Sequence, residues 1–146
     1  MKCRLVAAGT RLPDWINTGF EEYRRRLVRP LTLELHEIPV SSTEREGARM
    51  LAAIGKDDFV VALEVAGKAM DTPALASWLA QRLGSGRGLS LLIGGPDGLA
   101  AACLERADVR WSLSPLTLPH ALVRVIVAEQ LYRAISIQAG HPYHRA

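Results

Sequence analysis

The sequence predicts an α/β protein built on a mostly parallel sheet. Three observations predict it. Short apolar runs of strand length alternate with stretches of helical periodicity along the whole chain. Glycine and proline gather in the segments that follow the apolar runs. The last helical stretch is apolar almost all the way round, as a helix is when it is covered on every side.

The elements follow in order. Lys2 to Gly9 is an apolar run closed by Gly-Thr and reads as a buried strand. Pro13 opens a helix with Asp14 in its first turn; Trp15, Ile16, Phe20, Tyr23 and Leu27 recur at helical spacing until Pro30. Leu31 to Ile38 alternates, with Leu33 and Leu35 on one face and Glu34 and His36 on the other, the pattern of a half-buried strand. Thr43 and Glu46 form a capping-box pattern ahead of Met50, Leu51 and Ile54, and Gly55 stops that helix. Asp58 to Leu63 is a third strand, and Glu64 to Met70, with Gly67, reads as a loop. Thr72 and Pro73 suit the N-cap and first position of a third helix reaching Leu83. Gly84, Gly86 and Gly88 turn the chain into a continuous apolar strand, Leu89 to Ile93. Gly94-Gly95-Pro96-Asp97-Gly98 follows directly, then a short helix from Leu99 to Ala107 and a fifth strand, Val109 to Ser112. A proline-punctuated loop, Leu113 to Pro119, feeds the long helix from about His120 to Ala139. Gly140 ends it, and a six-residue tail runs from His141 to Ala146.

Composition narrows the class. The 146 residues suit one domain, 1–146, and a hydrophobic share of 49% supports a sizeable core rather than disorder. No run of 18 uncharged apolar residues occurs, and the apolar stretch Leu5 to Ala8 is too short for a signal core, so the expectation is a cytoplasmic protein with no membrane partner. Cys3 and Cys103 are far apart and have no ligand spacing; they read as small buried hydrophobes, and no metal site is expected. The net charge of +3 permits a nucleic-acid partner without demanding one. Arg24, Arg25, Arg26 and Arg29 are concentrated in a way that suits phosphate, although the end of a helix also favours cations.

In the long helix Leu122, Val123, Val125, Ile126, Val127, Leu131 and Ile135 point in nearly all directions. One small domain core covers one side of such a helix; a second copy of the chain would cover the other, and a central helix in a monomer is the alternative. The tail then places His141, Tyr143, His144 and Arg145 near a subunit boundary. Three loops leave strand ends, at Glu64 to Met70, Gly94 to Gly98 and Leu113 to Pro119, and ligands of open α/β sheets bind at the carboxyl ends of strands. Dinucleotide, triphosphate, zinc-hydrolase and serine-hydrolase motifs are not present: there is no GxGxxG, no Gly-Lys-Ser/Thr, no HExxH, no CxxC and no GxSxG.

Several stretches resemble one family. IGGPDGL at 93–99, SLSPLTLPHALVRVIVAEQLYRA at 112–134 and HPYHR at 141–145 are similar to the bacterial 23S rRNA pseudouridine-N3 methyltransferases, members of the SPOUT methyltransferases. The opening LVAAGTRLPDWINTGFEEYRRR and the pattern at Gly67, Lys68, Asp71, Thr72 and Pro73 resemble the same family, and the segment Val40 to Arg45 is shorter than in some of its members. The resemblance implies a SPOUT-type α/β knot: a five- to six-stranded, mostly parallel sheet flanked by helices, with a C-terminal trefoil knot. It implies a homodimer and S-adenosyl-L-methionine as methyl donor, held near Leu63, Gly95 and the run Ser114, Pro115, Leu116, Thr117, Leu118 and Pro119. The implied reaction is transfer of a methyl group to N3 of a pseudouridine in 23S rRNA within the assembled ribosome. A uracil-type N3 keeps its proton at neutral pH, so the reaction needs a base and a cation for the imide anion. His144 is the candidate base, Arg133 and Arg145 candidates for the anion or for RNA phosphate, and Tyr143 a candidate for stacking on or bonding to the target base. His120, opening the long helix, reads as structural or cofactor-adjacent. A ribosome-binding protein without enzymatic activity, and a methyltransferase of tRNA, are the competing readings.

Overall fold

A computed structural model of the protein describes residues 1–145, so Ala146, the last residue of the expected tail, lies outside the described residues. The element order is β1 (Lys2–Ala8), α1 (Asp14–Arg24), β2 (Thr32–Ile38), α2 (Thr43–Ala53), β3 (Phe59–Ala69), α3 (Thr72–Gly84), β4 (Leu89–Ile93), α4 (Ala101–Arg106), β5 (Val109–Ser112) and α5 (His120–Gln138), with a 3-10 turn at Pro142–Arg145. The five strands form one sheet in the order β2-β1-β4-β3-β5, and every pair is parallel.

The central strands read as unbroken apolar runs because both of their faces are covered. On β1, Cys3, Leu5 and Ala7 join Phe20 of α1, Leu75 and Leu79 of α3, and Val127, Leu131 and Ala134 of α5 in one core layer. Val6 and Ala8, which alternate with them, face the other side, with Met50 of α2, Leu92 of β4 and Cys103 of α4. The helices are thereby sorted into α1, α3 and α5 on one face of the sheet and α2 and α4 on the other. At the amino end of the sheet Asp58 is a buried hub: its Oδ2 accepts from Arg4 Nη1 and from Ser90 Oγ, both at 2.7 Å. Burial drives the Cys3 thiol far above its usual range, and burial raises Cys103 as well, as suits inert core cysteines.

Four sequence expectations are corrected. The segment Glu64 to Met70 is not a loop throughout: β3 continues to Ala69, with an excursion inside it. Both Leu63 and Lys68 pair with Trp111 of β5, so residues 64–67 leave the ladder and return to it. Gly67 makes the return possible, because a Cβ there would lie 2.7 Å from the backbone carbon of Arg110. The two caps each sit one residue earlier than expected. Ser42 Oγ accepts from Arg45 N at 3.3 Å, while Glu46 Oε2 accepts from Ser41 N at 2.8 Å; Asp71 Oδ1 accepts from Ala74 N at 2.8 Å. Asp and Ser are better caps than Thr, so Ser42 and Asp71 take the position from the Thr that follows each of them. The first helix ends at Arg24, not Pro30, with Leu27 still 4% exposed beyond it, while Trp15 is 65% exposed rather than core.

Candidate active site

Because β4, β3 and β5 are neighbours, the chain segments that leave their carboxyl ends converge. They enclose a cleft of about 920 Å3 at the start of α5, lined among others by Leu63, Glu64, Val65, Gly95, Trp111, Leu116, Thr117, Leu118, Pro119 and His120. Each wall has a local cause. Gly95 O accepts from Gly98 N at 3.0 Å, closing a tight turn over Pro96 and Asp97 with Gly98 at φ +79°. A Cβ on Gly94 would lie 2.5 Å from the Gly98 carbonyl carbon, so the turn requires glycine there. A Cβ on Gly95 would meet only Glu46 Oε1 at 3.4 Å and Ala8, so its lack of a side chain leaves room for a ligand instead. Ser114 shapes the third wall: its Oγ accepts from Leu116 N at 2.9 Å, and its carbonyl accepts from Ser112 Oγ at 3.1 Å.

The lining suits an aromatic nucleoside with polar edges. Leu116 is 71% exposed and Val65 54%, large apolar side chains left uncovered at a cleft. Two buried polar atoms of the lining, Glu64 Oε2 and Trp111 Nε1, have no hydrogen-bond partner among the described residues. The cation beside Glu64, Arg110 Nη1, stands 3.7 Å away, beyond hydrogen-bonding distance. An unmet acceptor and an unmet N–H donor in an apolar cleft fit a ligand carrying hydroxyl or ammonium donors and ring-nitrogen acceptors.

Of the residues expected to hold a cofactor, Leu63, Gly95, Ser114, Leu116, Thr117, Leu118 and Pro119 all line this cleft; Pro115 belongs to the same loop but is not among the lining residues. The tail residues are elsewhere. Tyr143 packs back on the far half of α5, its OH donating to Glu129 Oε1 at 3.1 Å and its ring edge-on to Tyr132 at 4.6 Å. Arg133 lies over the Tyr143 ring at 4.9 Å and donates from Nε to the same Glu129 oxygen at 2.8 Å, which holds the guanidinium charged. Burial, with the neighbouring Tyr23 hydroxyl and the Glu129 carboxylate, pushes the Tyr143 phenol above its usual range, so it stays neutral and acts as a donor. Nδ1 of His144 lies 2.6 Å from the His141 carbonyl oxygen. A carbonyl only accepts, so Nδ1 is the donor of this bond and Nε2 is the ring nitrogen it leaves unused. Arg145 is exposed. His141, Tyr143, His144 and Arg145 are therefore together, but none of them lines the cleft.

Residue patterns did not single out Glu64, Trp111 or Glu129, placed Glu46 only in a capping box, and gave Arg124 no partner. Arg124 is fully buried, paired with Glu37 and bonded to the Gly9 carbonyl. An arginine flanked by Leu122, Val123, Val125 and Ile126 was the available signal that such a pair must exist, since a buried charge needs a counter-charge. Among the described residues no cluster of three His, Cys, Asp or Glu side chains is placed to hold a metal ion.

Known proteins agree with this architecture. A family described as predicted SPOUT methyltransferase matches residues 1–144. The Ribosomal RNA large subunit methyltransferase H of Alkalilimnicola ehrlichii is 55% identical over 156 aligned positions that cover 100% of both chains. Among solved structures, a probable methylase family protein from Haemophilus influenzae Rd KW20 superposes with a TM-score of 0.59 at 12% identity, over 97% of this chain and 69% of that one. A putative methylase family protein from Neisseria gonorrhoeae gives 0.53 at 13% identity, over 89% and 81%. At those identities the two structures speak for the fold. The family match and the full-length relative carry more: this chain belongs to the SPOUT methyltransferase family.

Proposed function

We propose that the protein transfers a methyl group from S-adenosyl-L-methionine to N3 of a pseudouridine in 23S rRNA of the ribosome, in the cytoplasm. The observation that carries the reading is the three-walled cleft at the carboxyl ends of β3, β4 and β5, in a chain full-length similar to a ribosomal RNA large subunit methyltransferase. The donor would lie in the cleft with its adenine between the apolar side chains of Leu63, Leu116 and Leu118. Backbone of Gly95 and of the Ser114 to Pro119 loop would read its edges, Pro115 by shaping that loop, and Glu64 and Trp111 would meet donors and acceptors now unpaired. When bound, it supplies a sulfonium-activated methyl group for in-line transfer. The fold belongs with a single domain over 1–146 whose C-terminal part, β5, the loop and α5, is threaded as a trefoil knot.

Chemistry at N3 needs the tail. The His144 Nε2 lone pair takes the N3 proton, Arg133 and Arg145 offset the imide charge or hold RNA phosphate, and Tyr143 bonds to or stacks on the base. The cleft sits at the start of α5, while Tyr143 is fastened at Glu129, nine residues and about 14 Å further along that helix. A homodimer with antiparallel α5 helices resolves the separation, because each tail then reaches the partner's cleft. Half-buried Leu122 and Ile126 on α5, with exposed Trp15 on α1, supply an apolar face for it.

The test uses radiolabelled S-adenosylmethionine with whole ribosomes, ribosomes lacking pseudouridine, free large subunits and bulk tRNA. Label confined to pseudouridylated 23S rRNA is the expected result. Label in tRNA would move the substrate to that class, and ribosome binding with no label anywhere would leave a non-enzymatic binding protein.

A further inference from the structure

Arginines gather at one end of α1 and in the tail. The C-terminal end of α1 and its following turn hold Arg24, Arg25, Arg26 and Arg29. They adjoin the tail through an unbroken stack: the Arg26 guanidinium lies 5.6 Å from the Tyr23 ring and 5.5 Å from Tyr132, Tyr132 meets Tyr143 at 4.6 Å, and Arg133 covers Tyr143. Six arginines of this end, these four with Arg133 and Arg145, face three glutamates, Glu21, Glu22 and Glu129.

The surplus is available to a partner. Glu21 holds Arg24, while the single carboxylate of Glu22 is shared between Arg25 and Arg26. Arg25 remains 63% exposed as a side chain, and Arg29 is exposed with no ion pair among the described residues. Arginine-rich surface interleaved with aromatic rings suits phosphate, which accepts bidentate guanidinium bonds, and suits unpaired bases.

We infer that the C-terminal end of α1, centred on Arg25 and Arg29, grips the phosphate backbone of the RNA and presents it to the active site formed with the neighbouring tail. The inference rests on the proposed RNA substrate and adds the surface that binds it. In the antiparallel dimer the arginine-rich end of one subunit borders the cleft of the other, so the backbone contact and the reacting base lie on the same side. The chain then needs no separate RNA-binding domain.

The experiment measures ribosome binding without methyl donor as a function of salt, for the wild type, the double variant Arg25→Gln/Arg29→Gln and the charge-keeping Arg25→Lys/Arg29→Lys. The Gln pair is expected to weaken binding about tenfold near 0.1 M salt and to reduce the slope of log affinity against log salt by about two, one per lost phosphate contact, while the Lys pair keeps most of the slope. S-adenosylmethionine affinity equal to the wild type shows that the Gln variant is folded. An unchanged salt slope overturns the inference, as does a wild type that does not bind ribosomes. A loss seen with ribosomes but not with protein-free 23S rRNA overturns it in favour of an acidic protein surface. Because binding is read without the methyl donor, a failure of methyl transfer is recorded separately.

Discussion

Arg124 Nη1 and Glu37 Oε2 stand 2.7 Å apart, joining the first turns of α5 to the end of β2 across 87 residues of sequence. Arg124 Nη2 also donates to the Gly9 carbonyl at 3.3 Å. The two partners are unequal: the Arg124 side chain is 1% exposed and Glu37 34%. Glu37→Gln strands a buried guanidinium and is expected to cost about 3–5 kcal/mol, whereas Arg124→Met removes the buried charge and leaves a carboxylate that water can reach, at about 1–2 kcal/mol. In thermal unfolding the two variants should differ by several degrees. Equal losses, or a larger one for Arg124→Met, would show that hydrogen-bond count rather than charge burial sets the stability.

The two adjacent glycines of the cleft should respond differently. Gly94→Ala forces a Cβ against the Gly98 backbone and is expected to destabilise the fold by about 2–3 kcal/mol. Gly95→Ala meets only ordinary contacts, should keep stability within about 1 kcal/mol, and should weaken S-adenosylmethionine binding at least tenfold. Denaturant melts paired with calorimetric titration of the cofactor separate the two outcomes; a Gly95→Ala protein that binds normally would move the ligand away from this turn.

The proposed antiparallel dimer would have a centre. For a tail fastened near residues 129–133 to reach a cleft beginning at His120, the two-fold axis must cross α5 near Ile126. Ile126→Glu is expected to give a monomer by analytical ultracentrifugation that still binds S-adenosylmethionine and transfers no methyl group. Mixing subunits truncated before His141 with Gly95-defective subunits should restore part of the activity. An active monomer would show that the tail serves its own cleft.

Tyr143 ties the tail down through Glu129 and stays protonated above the ordinary phenol value. A folded-state pKa that is raised contributes stability fully below the unfolded value, near 10, and loses it as pH climbs further. Relative to Tyr143→Phe, the wild type should gain about 1 kcal/mol at pH 8 and progressively less above pH 10. A difference that stays constant to pH 11 would mean that the phenol makes no such bond.

Much of this architecture is local and was legible. The helix starts near Asp14, Thr72 and His120, the buried runs Leu5 to Ala8 and Leu89 to Ile93, and the Gly94–Gly98 turn follow from periodicity, caps and glycine chemistry in neighbouring residues. Seven of the eight residues named for the cofactor line one cleft because three strand-end segments did contain the lining. What the one-dimensional pattern could not supply was partnership. Apolar spacing says that a side chain is buried, not against what, so the order β2-β1-β4-β3-β5, the return of β3 against Trp111 and the pairing of Arg124 with Glu37 were decided by packing between distant segments. The same reason governs the site. Sequence determined which residues have the chemistry, a tail histidine, arginines and three glycine- and proline-bearing loops at strand ends. Only the tertiary structure decided that tail and cleft lie apart along α5, because that distance depends on where the chain folds back, which no local interaction encodes.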